Sequence, residues 1–230
     1  MDVSQLAWTN RLAEVARELR AESNDMETVL RAISKAAVDI IPGTEYASVT
    51  VVTGNATVET PVVIGDLAGQ SDALQQKLGE GPCIRSAVGE ETVWIDDMKS
   101  EHRWPQFAAA ADDLGIASMA CFCLYVDGDN FGALNLHSSA VATFDDDARS
   151  IGQLFAAHAA IAFSTVREKE QLRTALNSRD LIGQAKGMIM ERYRLDSTAA
   201  FRLLAKLSQD SNVKLVDVAK RVVEAGPEDR

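Results

Sequence analysis

The sequence predicts an α+β protein in which an antiparallel sheet flanked by helices is followed by a coiled-coil arm and a small three-helix module. Two patterns support this prediction. From Phe144 onward the chain contains no proline before Pro227, which favours a long helical tract. Before that point, β-branched and aromatic residues form short runs that are typical of strands; the runs are residues 46–52, 57–64, 92–95, 116–126 and 131–137.

Helices are predicted on the N-terminal side of these strands and between two of them. Residues 3–20 carry apolar residues on one side of a helix. Asp25 is a suitable N-cap for a second helix, which Pro42-Gly43 ends. A third helix is predicted between Trp104 and Leu114. The sheet is therefore expected to have helices packed on it.

The long helical tract opens at Phe144, where residues 145–147 place three carboxylates at the positive end of the helix dipole. No strong breaker follows before about Arg194. Residues 165–171 are mostly charged and polar, which is typical of a helical linker. We therefore predict a first domain over residues 1–163 whose last helix continues directly into a second domain over residues 164–230.

The net charge of −11 is distributed unevenly along the 230 residues. Residues 165–230 hold 13 Lys and Arg against 10 Asp and Glu, a balance of +3, so residues 1–164 have a balance of −14. Because an acidic surface repels nucleic acid, only the C-terminal part is suited to bind it.

The sequence also predicts a cytoplasmic protein without membrane contact. Its longest nearly unbroken apolar run, residues 117–126, is about half of a membrane span and is typical of a buried strand. The N-terminal Met-Asp-Val-Ser-Gln lacks the basic and apolar segments of a signal peptide.

The cysteines and histidines form no recognisable catalytic or metal pattern. Three cysteines are an odd number for a disulfide framework. Cys121 and Cys123 fall on one strand face, but without a nearby His or second pair they favour inert buried thiols over a zinc or redox site. No Ser-His-Asp, HExxH, Walker or dinucleotide motif is present. The sequence predicts neither an enzyme nor a metal site, and it leaves the cofactor unknown, haem on His137 being unsupported by any pattern.

The C-terminal part of the long helix has two surfaces on a helical wheel. Arg179 and Lys186 share one face. Ala175, Ile182 and Ile189 repeat every seven residues beside it. This heptad repeat predicts a parallel homodimer formed through the long helix.

Gly183 and Gly187 are unfavourable in the same helix, since each costs about 1 kcal/mol relative to alanine. Close packing against another helix would offset that cost. Close approach of a ligand backbone would do so too, with Lys186 placed to bind its phosphate. The spacing of the residues leaves both explanations open.

Two shorter helices are predicted to follow. Asp196 is a suitable N-cap for the first and Asn212 for the second, which ends at Gly226-Pro227. The predicted core stripe of the first of these helices is Ala200, Phe201, Leu204 and Leu207.

These C-terminal residues strongly resemble the ANTAR family over about residues 167–224. The matching elements are the run from Leu172 to Met190, then Ala200-Phe201, Ser208, Asn212 and the run from Leu215 to Ala219. The resemblance implies a dimeric protein that binds structured RNA, often paired hexaloop hairpins, and that acts in transcription antitermination or alters translation.

The RNA-facing candidates that this resemblance implies are Arg179, Gln184, Lys186, Gly187, Ser208 and Asn212. Arg179 and Lys186 would contact phosphates, while the amide and hydroxyl side chains would bind base edges and 2′-hydroxyls. Ser208 and Asn212 would equally serve as helix caps, and Gln184 would equally be an idle surface residue.

The N-terminal domain is similar to GAF domains of the actinobacterial type over about residues 10–163. The resemblance rests on residues 79–83, 102–107, 132–136 and 144–146. It implies a PAS-like sensory fold that binds a small molecule or a partner protein. The implied pocket lies between the sheet and residues 67–88, and its candidate lining is Cys83, Trp94, Phe122 and Tyr125.

Two other functions are compatible with the sequence. Residues 196–223, with a connection at residues 209–212, superficially resemble a helix-turn-helix that would bind DNA. Alternatively, the chain is a sensor or scaffold whose tail only dimerises. A comparison of hairpin RNA with duplex DNA separates these hypotheses.

Overall fold

A computed structural model of the protein describes residues 25–53, 57–88, 92–126 and 129–226. It divides into two compact units, Met1–Arg167 and Glu168–Arg230, which we call the first and second unit and describe separately. The helix predicted over residues 3–20 lies outside the described residues.

The first unit contains the five predicted strands and the helices that cover them. In chain order its elements are α1 (Met26–Ile40), β1 (Tyr46–Thr53), β2 (Thr57–Ile64), α2 (Asp66–Leu78), α3 (Pro82–Val88), β3 (Val93–Ile95), a 3-10 turn (Met98–Ser100), α4 (Pro105–Asp113), β4 (Ser118–Val126), β5 (Asp129–Ser138) and the first part of α5 (Asp146–Tyr193). The sequence patterns assign no element to residues 66–88. The reason lies in α2, whose buried face carries Ser71, Asp72 and Gln75 rather than an apolar stripe.

The strands form one antiparallel sheet in the order β2-β1-β5-β4-β3. In the pairing of β1 with β5, Ala47 lies opposite Leu136 and Ser48 lies opposite Asn135. Because side chains alternate along a strand, these two pairs point to opposite faces of the sheet. A sheet of this topology with flanking helices confirms the predicted α+β fold class.

One face of the sheet is apolar and packs against α1 and the first part of α5. Val49 of β1, Ile33 of α1 and Phe155 of α5 are buried together in this core. Gly152 lies where α5 approaches the sheet, because a Cβ there would overlap the ring of Phe122. Only glycine permits the helix to pack this closely.

The predicted limits of α1 and α4 are confirmed. The Asp25 carboxylate accepts a hydrogen bond from the Thr28 backbone N–H at 2.9 Å and caps α1. Pro105 opens α4 in the first turn, where its fixed φ suits a helix. Phe107 of α4 is buried in a second apolar cluster, next to Ile116 and the outer strands.

The uninterrupted long helix is also confirmed. α5 runs from Asp146 to Tyr193, with two carboxylates in its first turn. It ends where Arg194 adopts a positive φ of 52°. The boundary between the two units, after Arg167, falls inside this helix.

The second unit consists of the rest of α5, α6 (Ser197–Ser211) and α7 (Leu215–Glu224). The Asp196 carboxylate accepts a hydrogen bond from the Ala199 backbone N–H at 2.8 Å, so the predicted cap of α6 is confirmed. All three helices contribute to the core, which consists of Ala185, Ile189, Ala200, Leu204, Val218 and Ala219.

The predicted core stripe of α6 is only half right. Ala200 and Leu204 are buried, but Phe201 and Leu207 are 44% and 43% exposed. Two partner helices cover a narrower face of α6 than the four apolar positions span, so the outer two remain at the surface.

Asn212 ends α6 rather than capping α7. Its φ of 52° is left-handed, and its backbone N–H bonds to the carbonyl oxygens of Ser208 and Gln209. Lys214 is the residue that precedes α7. Asparagine tolerates this conformation better than most residues, which explains its presence at the turn.

Among the helices in the described ranges, none combines the length and the apolar composition needed to cross a membrane.

Candidate functional site

The C-terminal part of α5 buries one side in the second unit and exposes another. Ala185 and Ile189 belong to the core of this unit, whereas Gly183, Gln184 and Gly187 are exposed. At 100° per residue these three lie on the side of α5 turned away from that core. We call them the glycine face.

The glycines of this face make no close contact. A Cβ at Gly183 or at Gly187 would have no atom of the described structure within 4 Å. Packing among the described residues therefore does not account for them. Their cost of about 1 kcal/mol each relative to alanine points to a contact with another molecule.

Two cations lie beside the glycine face. Arg179 is exposed and Lys186 is half-buried, and both fall within about 60° of Gly183 on the helical wheel. Neither forms a hydrogen bond or an ion pair with the residues that the structure describes. Their positive charges are therefore available to an anionic ligand.

Ser208 and Asn212 lie at the C-terminal end of α6, where both have structural roles. The Ser208 hydroxyl donates to the Val213 carbonyl oxygen at 2.6 Å and holds the turn after the helix. Asn212 supplies the left-handed residue of that turn, but its side chain is exposed. The amide of Asn212 therefore remains available to a ligand, whereas the Ser208 hydroxyl is already used.

A short connection joins the arm to the helix that carries these two residues. Only residues 194–196 join α5 to α6, and Ser208 and Asn212 lie at the end of α6 that is far from this connection.

The heptad stripe predicted as the dimer interface is used inside the second unit. Ile189 is buried in the core and Ile182 packs against it, so these two residues are used inside the unit, whereas Ala175, the third residue of the stripe, is exposed. A bundle core and a coiled-coil seam have nearly the same period, which is why the sequence does not distinguish them. Leu172 and Leu176, in contrast, are each 58% exposed.

The last helix is poorly suited to read DNA. α7 contains two acidic and two basic residues, and Lys220 lies 3.8 Å from Glu224. The connection that precedes it is residues 212–214, not the predicted residues 209–212. A helix without net positive charge gains little from the phosphates that flank a groove.

Of the residues predicted to line a pocket in the first unit, Cys83 lies on the opposite face of the sheet from Trp94 and Phe122. Phe122 belongs to the apolar core, and Trp94 packs edge-on against it with ring centroids 5.1 Å apart. Cys83 lies on α3 beside Cys121, which points to the opposite face of the sheet. Tyr125 lies in β4, but its side chain is outside the described part of the chain.

Cys83 is held in a buried polar environment that the sequence does not reveal. Gln75 donates from Nε2 to its Sγ and accepts from its backbone N–H, both at 2.8 Å. Its Sγ lies 3.7 Å from the Sγ of Cys121 and 3.5 Å from Oδ1 of Asp72. Burial, the neighbouring Cys121 thiol and the Asp72 charge raise the pKa of Cys83. A protonated buried thiol is a poor nucleophile, so the environment of Cys83 disfavours thiolate chemistry there.

His137 is completely buried in β5. Burial lowers its pKa to about 4, so the imidazole is neutral at physiological pH. Within the described ranges no three His, Cys, Asp or Glu side chains are grouped as metal ligands.

Several solved structures have a similar fold. Free methionine-R-sulfoxide reductase from Neisseria meningitidis, in complex with its substrate, is 16% identical with a TM-score of 0.52 over 74% of this chain and 95% of that one. The chromophore-binding domain of bacteriophytochrome RpBphP3 from R. palustris is 11% identical with a TM-score of 0.55 over 74% of this chain and 64% of that one.

The photosensory core module of Stigmatella aurantiaca phytochrome is 10% identical with a TM-score of 0.59. It aligns over 90% of this chain, which spans only 46% of its length. At such low identities the likeness to these structures shows the fold alone.

Family profiles match most of the chain. The GAF domain profile matches residues 23–164 and the ANTAR domain profile matches residues 170–223. No curated protein matches the chain in sequence. GAF domains are sensory and ANTAR domains are RNA-binding and regulatory, and neither kind is catalytic. The chain thus belongs to the GAF domain family and carries an ANTAR RNA-binding domain directly after its GAF domain.

Proposed function

We propose that this protein regulates gene expression by binding structured hairpin RNA, in transcription antitermination, under the control of its GAF domain. The observation that carries the proposal is the glycine face of the ANTAR helix, beside which lie two cations that have no ion-pair partner among the described residues. A helix surface without side chains allows the backbone of a ligand to approach closely, and the two cations can bind the phosphates of a nucleic-acid backbone. This combination fits a nucleic acid better than a protein surface.

The candidates on α5 have three roles. Arg179 and Lys186 bind phosphates and set the position of the RNA. Gly187 lets the RNA backbone approach the helix. Gln184, whose amide is exposed, binds a base edge or a 2′-hydroxyl.

The candidates at the end of α6 differ from each other. The exposed amide of Asn212 reads a base or a 2′-hydroxyl. Ser208 acts indirectly, because its hydroxyl holds the turn that positions Asn212.

Two alternatives remain to be tested against this proposal. A DNA-binding regulator would read a major groove with α7, which the balanced charge of that helix disfavours. A scaffold that only dimerises would leave the cations beside the glycine face without a function. Neither alternative explains why Arg179 and Lys186 accompany uncovered glycines.

Replacing Lys186 with alanine should weaken binding to all hairpins about equally. A lost phosphate contact removes charge neutralisation rather than base recognition, so the salt slope should fall by about one. Lys220→Ala, which removes an exposed cation from α7, is the matched control and should leave the slope unchanged. Binding isotherms at several salt concentrations measure both effects.

Asn212 provides the complementary test of specificity. Asn212→Gly keeps the left-handed turn and removes only the amide, whereas Asn212→Ala also strains the backbone. The glycine variant should narrow the affinity gap between cognate and altered loops. A Lys186→Ala protein that changes loop preference and keeps its salt slope would refute the assigned roles.

We also propose that the protein is a parallel homodimer joined through Leu172 and Leu176 of α5, which are uncovered within their own unit. Sedimentation should give about twice the monomer mass. Replacing both leucines with serine should yield a monomer with weaker RNA binding, whereas Leu207→Ser, at an exposed leucine of α6, should remain dimeric. A monomeric parent protein that binds RNA tightly would exclude the dimer.

Control by the GAF domain is proposed to pass through α5, in which we place the domain boundary between residues 163 and 164. Coupling free energies between two sites are typically about 1–3 kcal/mol. By reciprocity, bound RNA then changes the stability of the GAF domain. The three tryptophans, at positions 8, 94 and 104, all lie outside the ANTAR domain, and two of them lie inside the GAF domain, so a change in their fluorescence does not arise from unfolding of the ANTAR domain.

Insertions between Thr165 and Gln171 test this coupling. Two added residues turn the following helix by about 200°, whereas seven add close to two full turns and restore its phase. Hairpin RNA should shift the unfolding midpoint of the GAF domain in the parent and in the seven-residue variant. The two-residue variant should bind RNA without that shift. Equal shifts in all three proteins would exclude transmission through the phase of the helix.

A further inference from the structure

Both aromatic side chains of the second unit lie at its surface. Tyr193 and Phe201 are the only aromatic residues between Glu168 and Arg230, and they are 58% and 44% exposed. The core of this unit contains aliphatic side chains and a methionine instead. In the first unit, by contrast, five phenylalanines are at most 2% exposed, namely Phe107, Phe122, Phe144, Phe155 and Phe163. The second unit therefore leaves its two rings out of the core, although their burial would stabilise it.

The two rings lie at the same end of the second unit. Tyr193 is the last residue of α5, Phe201 lies in the second turn of α6, and residues 194–196 alone connect the two helices. The Leu195 backbone N–H donates to the Met190 carbonyl oxygen at 3.2 Å, which holds this connection against the end of α5. From Ser197 to Phe201 the helix rises by only about 6 Å. Chain connectivity thus keeps both rings close to the connection.

Each ring is followed in the sequence by an exposed arginine. Arg194 comes directly after Tyr193, and Arg202 comes directly after Phe201. Neither arginine side chain forms a hydrogen bond or an ion pair with the residues that the structure describes. We call these four residues the aromatic corner.

The rings of the aromatic corner are free to stack on a ligand. Neither ring contacts another ring or a cation in the described part of the chain. A single exposed apolar side chain is common and needs no explanation. Two aromatic rings beside one connection, each with an adjacent cation, form a more specific surface.

We propose that the aromatic corner binds unpaired bases of the RNA, with the rings of Tyr193 and Phe201 stacked on the bases. The guanidinium groups of Arg194 and Arg202 bind the neighbouring phosphates. Proteins read RNA loops by stacking unpaired bases on aromatic side chains, and sites for single strands combine such rings with cations that follow the backbone.

A second copy of the chain suits this surface less well than RNA. In a symmetric interface the same patch of both copies is used, so the arginines of the two corners would be brought together. Repulsion between like charges disfavours that arrangement. The inference rests on the proposed function, since it adds to the glycine face a second surface that binds the same RNA.

The test uses the full-length protein and RNA labelled with 2-aminopurine, a fluorescent base that is quenched when it stacks. One probe is a hairpin with the label in its loop, a second is the same hairpin with the label in its stem, and a third is an unstructured single strand. The parent protein should quench the loop label in a saturable manner. The stem label should not change, because a paired base is already stacked.

Leucine substitutions separate the ring from its apolar character. Phe201→Leu and Tyr193→Leu should each weaken hairpin binding by about fivefold or more, as expected for the loss of one stacked base. The double variant should no longer quench the loop label. Phe201→Tyr keeps a ring and should bind like the parent protein. Leu207→Ser, at a side chain of α6 that is 43% exposed, is the control and should also bind normally.

The arginines are tested by the salt dependence of binding. Arg202→Gln removes one phosphate contact and should lower the salt slope by about one. Lys220→Gln removes an exposed cation of α7 and should leave the slope unchanged. An Arg202→Gln protein with the slope of the parent would remove this arginine from the binding surface.

Three results would overturn the inference. They are no quenching of the loop label or the single strand by the parent protein, quenching that survives in the double leucine variant, and a fall in sedimenting mass in the leucine variants, which would place the rings in a protein interface. Tight hairpin binding without quenching rejects the aromatic corner alone. Quenching of the single strand without tight hairpin binding rejects the proposed function alone.

Discussion

Replacing Gly187 with alanine is expected to stabilise the second unit and at the same time weaken RNA binding by about tenfold or more, which is at least about 1.4 kcal/mol. The two effects have opposite signs because they arise from different partners. Alanine is favoured over glycine in a helix by about 1 kcal/mol, and nothing in the described structure lies within 4 Å of the added methyl group. In the complex, the same methyl group would occupy the space that the RNA backbone requires.

Hydrogen exchange of amides in α6 and α7 measures the stability of the second unit, and titration with hairpin RNA measures its affinity. Thr174→Ala is the matched control, since it also raises helix propensity at an exposed position of α5. This control should stabilise the unit without loss of RNA affinity. A Gly187→Ala protein that is more stable and binds RNA normally would show that the glycine face is not the binding surface.

Asp72→Asn is expected to stabilise the GAF domain above pH 6 by about 3 kcal/mol. Burial raises the pKa of Asp72 from 3.8 to about 6, and every tenfold change in an acid dissociation constant corresponds to about 1.4 kcal/mol. A carboxyl whose folded-state pKa is raised destabilises the fold as pH increases from about 4 to 6, because the folded state then binds the extra proton. The amide cannot ionise, so the variant does not lose this stability.

His137 changes the pH dependence of the free energy of unfolding in the opposite direction. Burial lowers its pKa from 6.5 to about 4, so its contribution is present above pH 6.5 and is lost as pH falls toward 4. Between pH 4 and 6 the loss of stability due to Asp72 and the gain due to His137 largely cancel in the parent protein. Asp72→Asn should therefore reveal a steep rise in stability over this range.

Denaturant unfolding of the parent and the variant, followed by tryptophan fluorescence, gives the stability of the GAF domain at each pH. The difference between the two proteins should be near zero at pH 4, grow up to pH 6 and then stay constant. A difference that does not vary with pH would mean that Asp72 is not the titrating group.

Much of this fold follows from local patterns in the sequence. The strands are runs of β-branched, aromatic and other apolar residues, α1 and α6 have their capping aspartates, and the long α5 lacks a breaker until Arg194. Each of these signals involves residues that are neighbours along the chain. The charge balance and the ANTAR resemblance are also read from contiguous stretches of sequence, and both point to the C-terminal part of the chain.

The remaining features depend on contacts between distant residues. The thiols of Cys83 and Cys121 meet across 38 positions, and Asn135 bonds to Thr50 across 85. No helical or strand period reports such pairs. The polar buried face of α2 also concealed that helix, because an amphipathic pattern is expected to bury apolar residues.

Ile182 and Ile189 show a different limit. Their seven-residue spacing is genuine, but a helix that contributes to a bundle produces the same spacing as one that pairs with a second copy. The folded structure decides between them, because it shows which apolar residues of α5 are already covered. Leu172 and Leu176 are not.

Binding of structured RNA through the glycine face can be tested by comparing two nucleic acids. The full-length protein is titrated with a hairpin RNA and with a duplex DNA of equal length at the same stated salt concentration. We expect tight, saturable binding of the hairpin, weak binding of the DNA, and loss of hairpin binding in the Gly187→Ala protein. Equal affinity for both nucleic acids, or preference for the duplex DNA, would contradict the claim.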